Sequence, residues 1–177
     1  MKVGIIGSGG REHAICLALD NTKKIEKIYC FPGNAGTSHI AENISINIED
    51  FNELKNFILF NKIDLVIVGP EKPLVNGIVD FLEKYNINVF GPNKKASQLE
   101  GSKIFTKNLC DKYQIPTAKF GIFKNNLDAL NFSNNANYPL VIKADGLASG
   151  KGVYICENTL TRGQTISFYY QGIIGII

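Results

Sequence analysis

The sequence predicts an α/β protein, in which a small doubly wound parallel sheet is followed by part of a second, α+β domain. Two observations predict the sheet: short apolar segments ending in glycine or proline alternate with segments of helical spacing, and the apolar segments are uninterrupted. Such segments are typical of parallel strands that helices cover on both faces. A third observation, strands on both sides of a glycine-rich loop, predicts a hairpin in the second domain.

The elements follow one another in a regular order through the first part of the chain. Apolar runs predict strands, and apolar residues that recur every three or four positions predict helices. The predicted strands span residues 2–7, 27–31, 63–69 and 87–91, and the predicted helices span residues 11–21, 48–62 and 75–86. We therefore expect one sheet with its loops gathered at two edges.

A region of different character follows. Residues 96–114 predict one or two helices that lead out of the first unit. A helix is then expected inside residues 124–139, and strands are expected over 118–123, 140–144 and 153–156. The predicted organisation is an N-terminal α/β domain over 1–100, a helical connector over 101–117 and a second, partial domain over 118–177.

Composition and charge exclude several classes of protein. The 177 residues are 45% hydrophobic and 20% charged, which is ordinary for a globular protein with a buried core. A net charge of +3 with scattered lysines does not favour nucleic acid as a partner. Because there is no run of about 18 apolar residues and no signal-peptide pattern, we expect no membrane association and a cytoplasmic location.

Cysteines and histidines do not form a recognisable metal site. The four cysteines are Cys16, Cys30, Cys110 and Cys156. They show neither C-x-x-C spacing nor clustering, so we expect free thiols and no structural metal. His13 is expected to cap or pack the first helix, and neither it nor His39 is assigned a catalytic role.

The last part of the sequence is unusual. After Glu157 the chain contains no acidic residue, and it ends on the apolar run ISFYYQGIIGII. A finished domain seldom ends on such an aggregation-prone segment. We therefore expect either an incomplete domain or an altered terminus.

The loop after the first predicted strand reads GSGGREHA and predicts an anion site. Gly7, Gly9 and Gly10 lead into a helix, whose first N–H groups favour an anion such as phosphate. The spacing is close to the dinucleotide fingerprint G-x-G-x-x-G, but Glu12 replaces the last glycine and no acidic residue follows the second strand. A phosphate-bearing small ligand, with Arg11 as its partner, therefore fits better than NAD or a simple tight turn.

Two further loops leave the same edge of the predicted sheet, PGNAGT at 32–37 and GPEKPLVNG at 69–77. Successive parallel strands bring such loops together over one crevice. Each loop alone is explained by ordinary turn residues, but three together predict a composite pocket. Glu71 is the carboxylate placed to accept hydrogen bonds from an amine or from hydroxyls.

The second domain contains the segment VIKADGLASGKGV at 141–153. Its glycines and lysines are Gly146, Gly150, Gly152, Lys143 and Lys151. Glycines that allow close backbone approach, next to ammonium groups, favour phosphate, and a β-hairpin turn with surface lysines is the alternative. The segment is not a Walker A motif, because its glycine spacing is one residue short and Gly152 replaces the magnesium-binding Ser or Thr. Lys103 is a further cation able to contact a polyphosphate.

These motifs together resemble the N-terminal part of one family, glycinamide ribonucleotide synthetase (phosphoribosylamine–glycine ligase). From residue 1 to about 157 the chain carries, in matching order and spacing, GSGGREHA, PGNAGT, VGPEKPLVNG, FGP, QLEGSKIFTK and PLVIKADGLASGKGV. The family belongs to the ATP-grasp ligases of de novo purine biosynthesis and joins phosphoribosylamine to glycine with ATP, through an enzyme-bound glycyl phosphate. The resemblance implies a pre-ATP-grasp domain, a partial ATP-grasp domain, and Mg²⁺ or Mn²⁺ in the complete enzyme.

The resemblance also implies roles for positions already singled out. The implied phosphoribosylamine-binding residues are Gly9, Gly10, Arg11, Glu12, Gly33, Asn34, Ala35, Gly36, Thr37, Gly69, Pro70 and Glu71. The implied ATP-binding residues are Lys103, Lys143, Gly146, Ser149, Gly150, Lys151 and Gly152. The glycine-rich loop would close over the triphosphate and exclude water. No residue is assigned as catalytic or as a metal ligand.

Residues 158–177 depart from the family pattern, with Arg162 and Gly163 where an acidic, alanine-bearing helix is expected. The family's adenine, magnesium and glycine segments have no counterpart, so we expect that the chain alone is not a competent ligase. Two alternatives remain open: a non-catalytic module that binds phosphorylated sugars or nucleotides, and a degenerate gene product without function.

Overall fold

The computed structural model describes residues 1–148, 151–168 and 173–176. The chain divides into two compact units, Met1–Ser97 and Gln98–Ile177. Among the described residues, no helix combines the length and the apolar character that crossing a membrane requires.

The first unit is built around a five-stranded sheet in which every pairing is parallel. Its strands and helices are β1 (Lys2–Gly7), α1 (Gly10–Asp20), β2 (Lys27–Pro32), β3 (Glu42–Asn43), α2 (Phe51–Asn61), β4 (Leu65–Val68), α3 (Glu71–Asn76), α4 (Ile78–Glu83) and β5 (Val89–Phe90). The strand order is β3-β2-β1-β4-β5. This order confirms the predicted doubly wound sheet and places β1 between β2 and β4.

The core of this unit lies on both faces of the sheet, because successive residues of a strand point to opposite faces. Val3 packs with Cys16 of α1 on one face. Ile6 packs with Leu54 of α2 on the other face. Complete burial of one such aliphatic side chain stabilises the fold by roughly 1.5–3 kcal/mol.

Two local features of the first unit differ from the prediction. The helix predicted over 75–86 is divided into α3 and α4 at Gly77, whose φ of +92° lies in the left-handed region that favours glycine. Strand β3 has two residues and pairs with Tyr29 and Cys30 of β2. A strand this short carries no hydrophobic pattern, so the sequence does not predict it.

The second unit contains a four-stranded sheet in which every pairing is antiparallel. Its elements are α5 (Gln98–Gly101), α6 (Lys103–Lys112), β6 (Phe120–Phe123), α7 (Asn126–Ser133), β7 (Leu140–Ala144), β8 (Val153–Cys156), α8 (Thr159–Phe168) and β9 (Ile173–Ile176). The strand order is β6-β9-β7-β8. The predicted hairpin is confirmed, since β7 and β8 pair directly.

Helices cover one face of this second sheet. Leu140 and Ile142 of β7 are buried there, against Ala129 of α7 and Ile166 of α8. The sequence pattern predicts neither α8 nor β9, which both follow Glu157. Strand β9 lies between β6 and β7 and pairs with both, an arrangement that a short apolar run cannot specify by itself.

A buried arginine joins the two covering helices. Arg162 of α8 donates a hydrogen bond from Nη1 to the backbone carbonyl of Ser133, the last residue of α7, at 3.0 Å. A positive charge at a helix C-terminus is favourable, because the carbonyl groups there carry partial negative charge. Arg162 therefore links α8 to the end of α7 in this unit.

Asp50 caps α2, and its removal provides a test of the fold. Its carboxylate accepts hydrogen bonds from the N–H groups of Asn52 and Glu53, at 3.1 and 3.0 Å. Because Asp50→Ala leaves these groups without a side-chain partner, we expect the free energy of unfolding to fall by about 1 kcal/mol. Chemical denaturation followed by circular dichroism measures the change. The matched control is Asp20→Ala at the C-terminal end of α1, and an equal loss in both variants would contradict the capping role.

Candidate functional site

The carboxyl ends of β1, β2 and β4 meet at one edge of the first sheet, because these strands are parallel neighbours. The loops that leave this edge contain residues 8–9, 33–36 and 69–70. The predicted residues of this unit lie in these loops or in the first helical turn that follows each of them. The three loops therefore form one candidate site, which we call the sheet-edge site.

Asn34 joins the loop after β2 to the loop after β1. Its Nδ2 donates to the carbonyls of Ser8 and Gly9, at 3.0 and 3.2 Å. Its Oδ1 accepts hydrogen bonds from the N–H groups of Gly36 and Thr37, at 2.8 and 3.0 Å. One side chain thus both closes its own loop and fixes that loop against its neighbour.

Thr37 and Asn43 complete this network from below the loop. The Thr37 hydroxyl is buried, accepts a hydrogen bond from the Asn34 N–H at 2.7 Å and lies 2.8 Å from Oδ1 of Asn43. The Asn43 Nδ2 donates to the Asn34 carbonyl at 2.8 Å. Sequence reasoning missed Asn43, because its position beside Thr37 depends on the pairing of β3, for which the sequence carries no signal.

Glu12 is enclosed by glycines from two loops. The residue is 3% exposed, and its Oε2 accepts a hydrogen bond from the Gly9 N–H at 2.6 Å. A Cβ atom on Gly7 would lie 2.6 Å from the Glu12 carboxyl carbon, and one on Gly9 would lie 2.9 Å from Oε2. A Cβ atom on Gly69 would overlap Oε1. These three positions therefore need glycine to leave space for the carboxylate.

The enclosed carboxylate explains why the dinucleotide fingerprint is incomplete. In a dinucleotide site, the glycines allow the backbone to approach a pyrophosphate. Here they accommodate the negatively charged side chain of Glu12 instead, which would repel a pyrophosphate at the same place. Glu12 is bonded to the chain's own backbone, so its contribution to the sheet-edge site is to hold the loop in shape.

Arg11 and Glu71 form an ion pair between the loops after β1 and β4. Their Nη2 and Oε1 atoms lie 2.5 Å apart, and the side chains are 67% and 39% exposed. The pKa of Glu71 is lowered from its ordinary value, first by the backbone N–H of Glu71 and then by the Arg11 guanidinium. The carboxylate is therefore ionised at neutral pH, and a ligand amine or hydroxyl would share it with Arg11.

The remaining predicted residues of this unit surround the same edge. Gly10 begins α1 with no atom within 4 Å of the position of a Cβ atom, so the space beside it is open. Ala35 is exposed and Pro70 precedes α3. The imidazole of His13 packs against Gly36, where a Cβ atom would overlap the ring, which agrees with the predicted packing role.

Two buried thiols of the first unit are unreactive as nucleophiles. The Sγ atoms of Cys16 and Cys30 lie 3.2 Å apart. Burial raises the pKa of Cys30 to about 12 and also raises the pKa of Cys16. Since the thiolate is the reactive form, neither thiol is a nucleophile at neutral pH. All four cysteines are free, as the sequence predicts.

In the second unit, Lys143 lies on the face of the sheet opposite to the covering helices. Residues on one strand alternate between faces, and directly paired residues share a face. Lys143 pairs with Val153, and Val141 pairs with Ile155. Val153 and Ile155 are 44% and 68% exposed. This exposed face combines an ammonium group with apolar side chains.

The start of the glycine-rich segment is held by α6. Lys103, the first residue of α6, donates from Nζ to the carbonyl of Gly146 at 2.8 Å. The carboxylate of Asp145 accepts hydrogen bonds from the Ser102 hydroxyl. Sequence reasoning missed Asp145 and Ser102 as site residues, although both lie inside motifs that it singled out. Their spacing gave no sign that they touch.

The two ends of the glycine-rich segment use glycine for different reasons. Gly146 has a φ of +87°, which favours glycine, and no atom of the described residues lies within 4 Å of the position of its Cβ. Gly152 is buried, and a Cβ atom there would lie 2.7 Å from Cβ of Ala148. Lys151 is exposed and donates its backbone N–H to the Ala148 carbonyl at 2.8 Å. The predicted residues Ser149 and Gly150 lie outside the described residues.

The described ranges do not offer a site for a divalent metal. Within residues 1–148, 151–168 and 173–176, no group of three or more His, Cys, Asp or Glu side chains is placed to hold a metal ion. The Mg²⁺ or Mn²⁺ that the resemblance implies therefore does not fit these residues.

Two family models match consecutive parts of the chain. One, described as phosphoribosylglycinamide synthetase, N domain, matches residues 1–100. The other, described as phosphoribosylglycinamide synthetase, ATP-grasp (A) domain, matches residues 101–168. The expectation that the likeness ends near residue 157 is therefore wrong, because the second match continues through α8.

Individual relatives give the same result. The chain is 54% identical over 158 residues to a phosphoribosylamine–glycine ligase from Caldanaerobacter subterraneus subsp. tengcongensis. The aligned region covers 89% of this chain and 38% of that protein. Its fold is similar to a phosphoribosylamine–glycine ligase from Thermotoga maritima, with a TM-score of 0.78, 30% identity and coverage of 99% of this chain and 43% of the other.

An ADP complex of N5-carboxyaminoimidazole ribonucleotide synthetase shares the fold more distantly, with a TM-score of 0.76, 20% identity and coverage of 99% of this chain and 46% of the other. The chain thus spans about two fifths of the length of the curated relatives it matches.

The enclosure of Glu12 predicts a specific coupling between two residues. Gly69→Ala is expected to destabilise the first unit, because its Cβ atom would overlap the buried Oε1 of Glu12. Glu12→Ala removes that atom, so Gly69→Ala should cost less in the Glu12→Ala background, with a coupling of about 0.5–3 kcal/mol. Denaturant unfolding of the four proteins measures the coupling. Strictly additive losses would show that the carboxylate does not occupy this space.

Proposed function

We propose, since this chain belongs to the phosphoribosylglycinamide synthetase family, that its first unit binds phosphoribosylamine and that its second unit supplies part of the ATP site of a phosphoribosylamine–glycine ligase. The observation that carries the proposal is the meeting of three loops at one sheet edge, joined by Asn34 and by the pair of Arg11 and Glu71. The ligation itself is proposed for an enzyme that also contains the parts of the relatives outside the matched length.

The phosphate of phosphoribosylamine is proposed to bind at the start of α1. The first N–H groups of a helix have no partner within the helix and attract anions. The Gly9 N–H is already bonded to Glu12, so the phosphate would use the N–H groups that follow, beside the open space at Gly10. The exposed guanidinium of Arg11 would add a charge-assisted hydrogen bond.

The amine and hydroxyl groups of phosphoribosylamine are proposed to face Glu71. Its carboxylate is held in the ionised form and accepts hydrogen bonds at the edge of the site. A phosphate bound to Arg11 would compete with Glu71 for the guanidinium. The lone pairs of the Glu71 carboxylate would then become available to the sugar amine. The loop from Gly33 to Thr37, fixed by Asn34, would form the wall on the other side.

The nucleotide is proposed to lie along the exposed face of the second sheet, with its phosphates at Lys103, Lys143 and Lys151. In the proposed reaction, the carboxylate of glycine takes the γ-phosphoryl group from ATP and ADP is released. The amine of phosphoribosylamine then attacks the acyl carbon, and inorganic phosphate leaves. The lysines would stabilise the negative charge on the transferring group, and the ADP complex of a structural relative supports a nucleotide in this fold.

Location and partners form part of the same proposal. We place the protein in the cytoplasm with small-molecule substrates, and the free thiols support a reducing compartment. We expect the 177 residues alone to bind phosphoribosylamine and ATP without joining phosphoribosylamine to glycine.

Ribose 5-phosphate tests the first unit. We expect it to bind the 177-residue protein in a calorimetric titration, and Arg11→Ala to weaken binding about tenfold through loss of a charge-assisted hydrogen bond. Lys27→Ala is the matched control, because Lys27 also forms a surface ion pair but lies at the amino end of β2, away from the sheet-edge site. Equal weakening by the two variants, or no binding by the unchanged protein, would contradict the proposal.

ATP tests the second unit independently. We expect Lys143→Ala to weaken ATP binding about tenfold, because a lysine beside the phosphates is lost. Lys112→Ala, at the far end of α6 from Lys103, should leave the affinity unchanged. Calorimetry with and without ribose 5-phosphate separates the two sites. A protein that binds the sugar phosphate but not ATP would instead support a non-catalytic sugar-phosphate module.

A further inference from the structure

Asp145 is a carboxylate with no role in the proposed function, although it is attached to the elements of both Lys103 and Lys143, the lysines assigned to ATP. It directly follows β7, the strand that carries Lys143, and it contacts the start of α6, the helix that begins with Lys103. A carboxylate beside a phosphate-binding cation weakens phosphate binding by repulsion, unless it also holds that cation in place. The contacts of Asp145 show how it does this.

The Asp145 carboxylate bonds the residues on both sides of Lys103, Ser102 through its hydroxyl and Ile104 through its backbone N–H. The Ser102 hydroxyl donates to it, with 3.1 Å to each carboxylate oxygen. The N–H of Ile104 donates to Oδ1 at 3.2 Å. The residue before Lys103 and the residue after it are therefore both attached to the same side chain.

The negative charge of Asp145 is favourably placed at this point. Ser102 is the N-cap of α6, and its Oγ accepts a hydrogen bond from the Phe105 N–H at 3.1 Å. The N-terminus of a helix carries partial positive charge and unpaired N–H groups, which a carboxylate stabilises. The start of α6 therefore stabilises the carboxylate of Asp145, whose Oδ1 accepts the Ile104 N–H.

The side chain of Lys103 is held by the next residue of the same segment. Its Nζ donates to the carbonyl of Gly146 at 2.8 Å. Because an ammonium group has three donors, this hydrogen bond fixes the direction of the side chain and leaves donors for phosphate oxygens. Residues 145–146, which follow β7, therefore hold both the neighbours of Lys103 in the chain and its ammonium group.

We propose that Asp145 is a positioning residue, which sets the place of the Lys103 ammonium group relative to Lys143 so that both reach the phosphates of one nucleotide. The inference rests on the proposed ATP site. The two lysines come from elements far apart in the sequence, and Asp145 is the side chain that attaches the helix of one to the strand of the other. The effect of Asp145 on nucleotide affinity then passes through Lys103.

A double-mutant cycle tests this dependence. ATP is titrated calorimetrically into the 177-residue protein and into its Asp145→Asn, Lys103→Ala and doubly substituted variants. Asp145→Asn removes the charge and one acceptor atom, and we expect it to weaken ATP binding about tenfold. In the Lys103→Ala background the same change should alter affinity by less than about twofold, since coupled residues are not additive. Equal weakening in both backgrounds overturns the proposal.

The controls separate positioning from general loss of stability. Asp128→Asn removes another first-turn carboxylate, in α7, where Asp128 is bonded to Asn125. It should leave ATP affinity unchanged, and weakening like that of Asp145→Asn would refute a specific role. If Asp145→Asn is unfolded at the assay temperature, Ser102→Ala removes the hydroxyl donor with the charge kept. It should weaken ATP binding only while Lys103 is present, and weakening without Lys103 would overturn the proposal.

A readout without nucleotide keeps this inference distinct from the proposed function. The side-chain ammonium signals of ¹⁵N-lysine-labelled protein are recorded by NMR, and the signal of Lys103 is identified by its loss in Lys103→Arg. We expect Asp145→Asn to shift or broaden that signal and to leave the other lysine signals in place. If the unchanged protein fails to bind ATP, the proposed ATP site fails, whereas an unaltered Lys103 signal in Asp145→Asn overturns the positioning role itself.

Discussion

Parallel pairing of β1 with both β2 and β4 is the constraint on which the first unit depends. The pairing runs from Lys2 to Gly7 along β2 and from Val3 to Ile6 along β4, so the loops after all three strands begin at the same level. A slip of one residue would turn each strand's buried side chains to the opposite face. The contacts of Asn34 and Glu12 across the loops are therefore consequences of a register that the apolar core maintains.

The two units hold their cations in a comparable way. In each, a carboxylate of the chain bonds the backbone at the start of a helix, Glu12 at Gly9 and Asp145 at Ile104. A cationic side chain, Arg11 in α1 and Lys103 in α6, belongs to the first turn of the same helix. Because one oxygen of each carboxylate accepts a backbone N–H, the carboxylate fixes the start of the helix. In the first unit, glycines leave space for the Glu12 carboxylate, whereas in the second unit Gly146 adopts a positive φ that favours glycine.

Much of this architecture follows from local patterns in the sequence. Apolar runs and helical spacing predict the main strands and helices of the first unit and the hairpin of the second, because these signals repeat over several residues. Strand β3 and the contacts of Asn43 and Asp145 depend on residues far away in the chain, which periodicity does not encode. Helix α8 shows a similar limit, because the hydrogen bond from Arg162 to α7 joins two helices whose contact the sequence pattern does not encode.

The inner position of β9 has a consequence for how the protein is made. All strands of the first sheet lie within Met1–Ser97, so that unit can complete its pairing while the rest of the polypeptide is still being synthesised. The second sheet differs, since among the described residues it is Ile173–Ile176 that pairs with both β6 and β7. During synthesis, β6 and β7 therefore precede the strand that pairs with both of them, and the edges that β9 later occupies lack this partner until it is made.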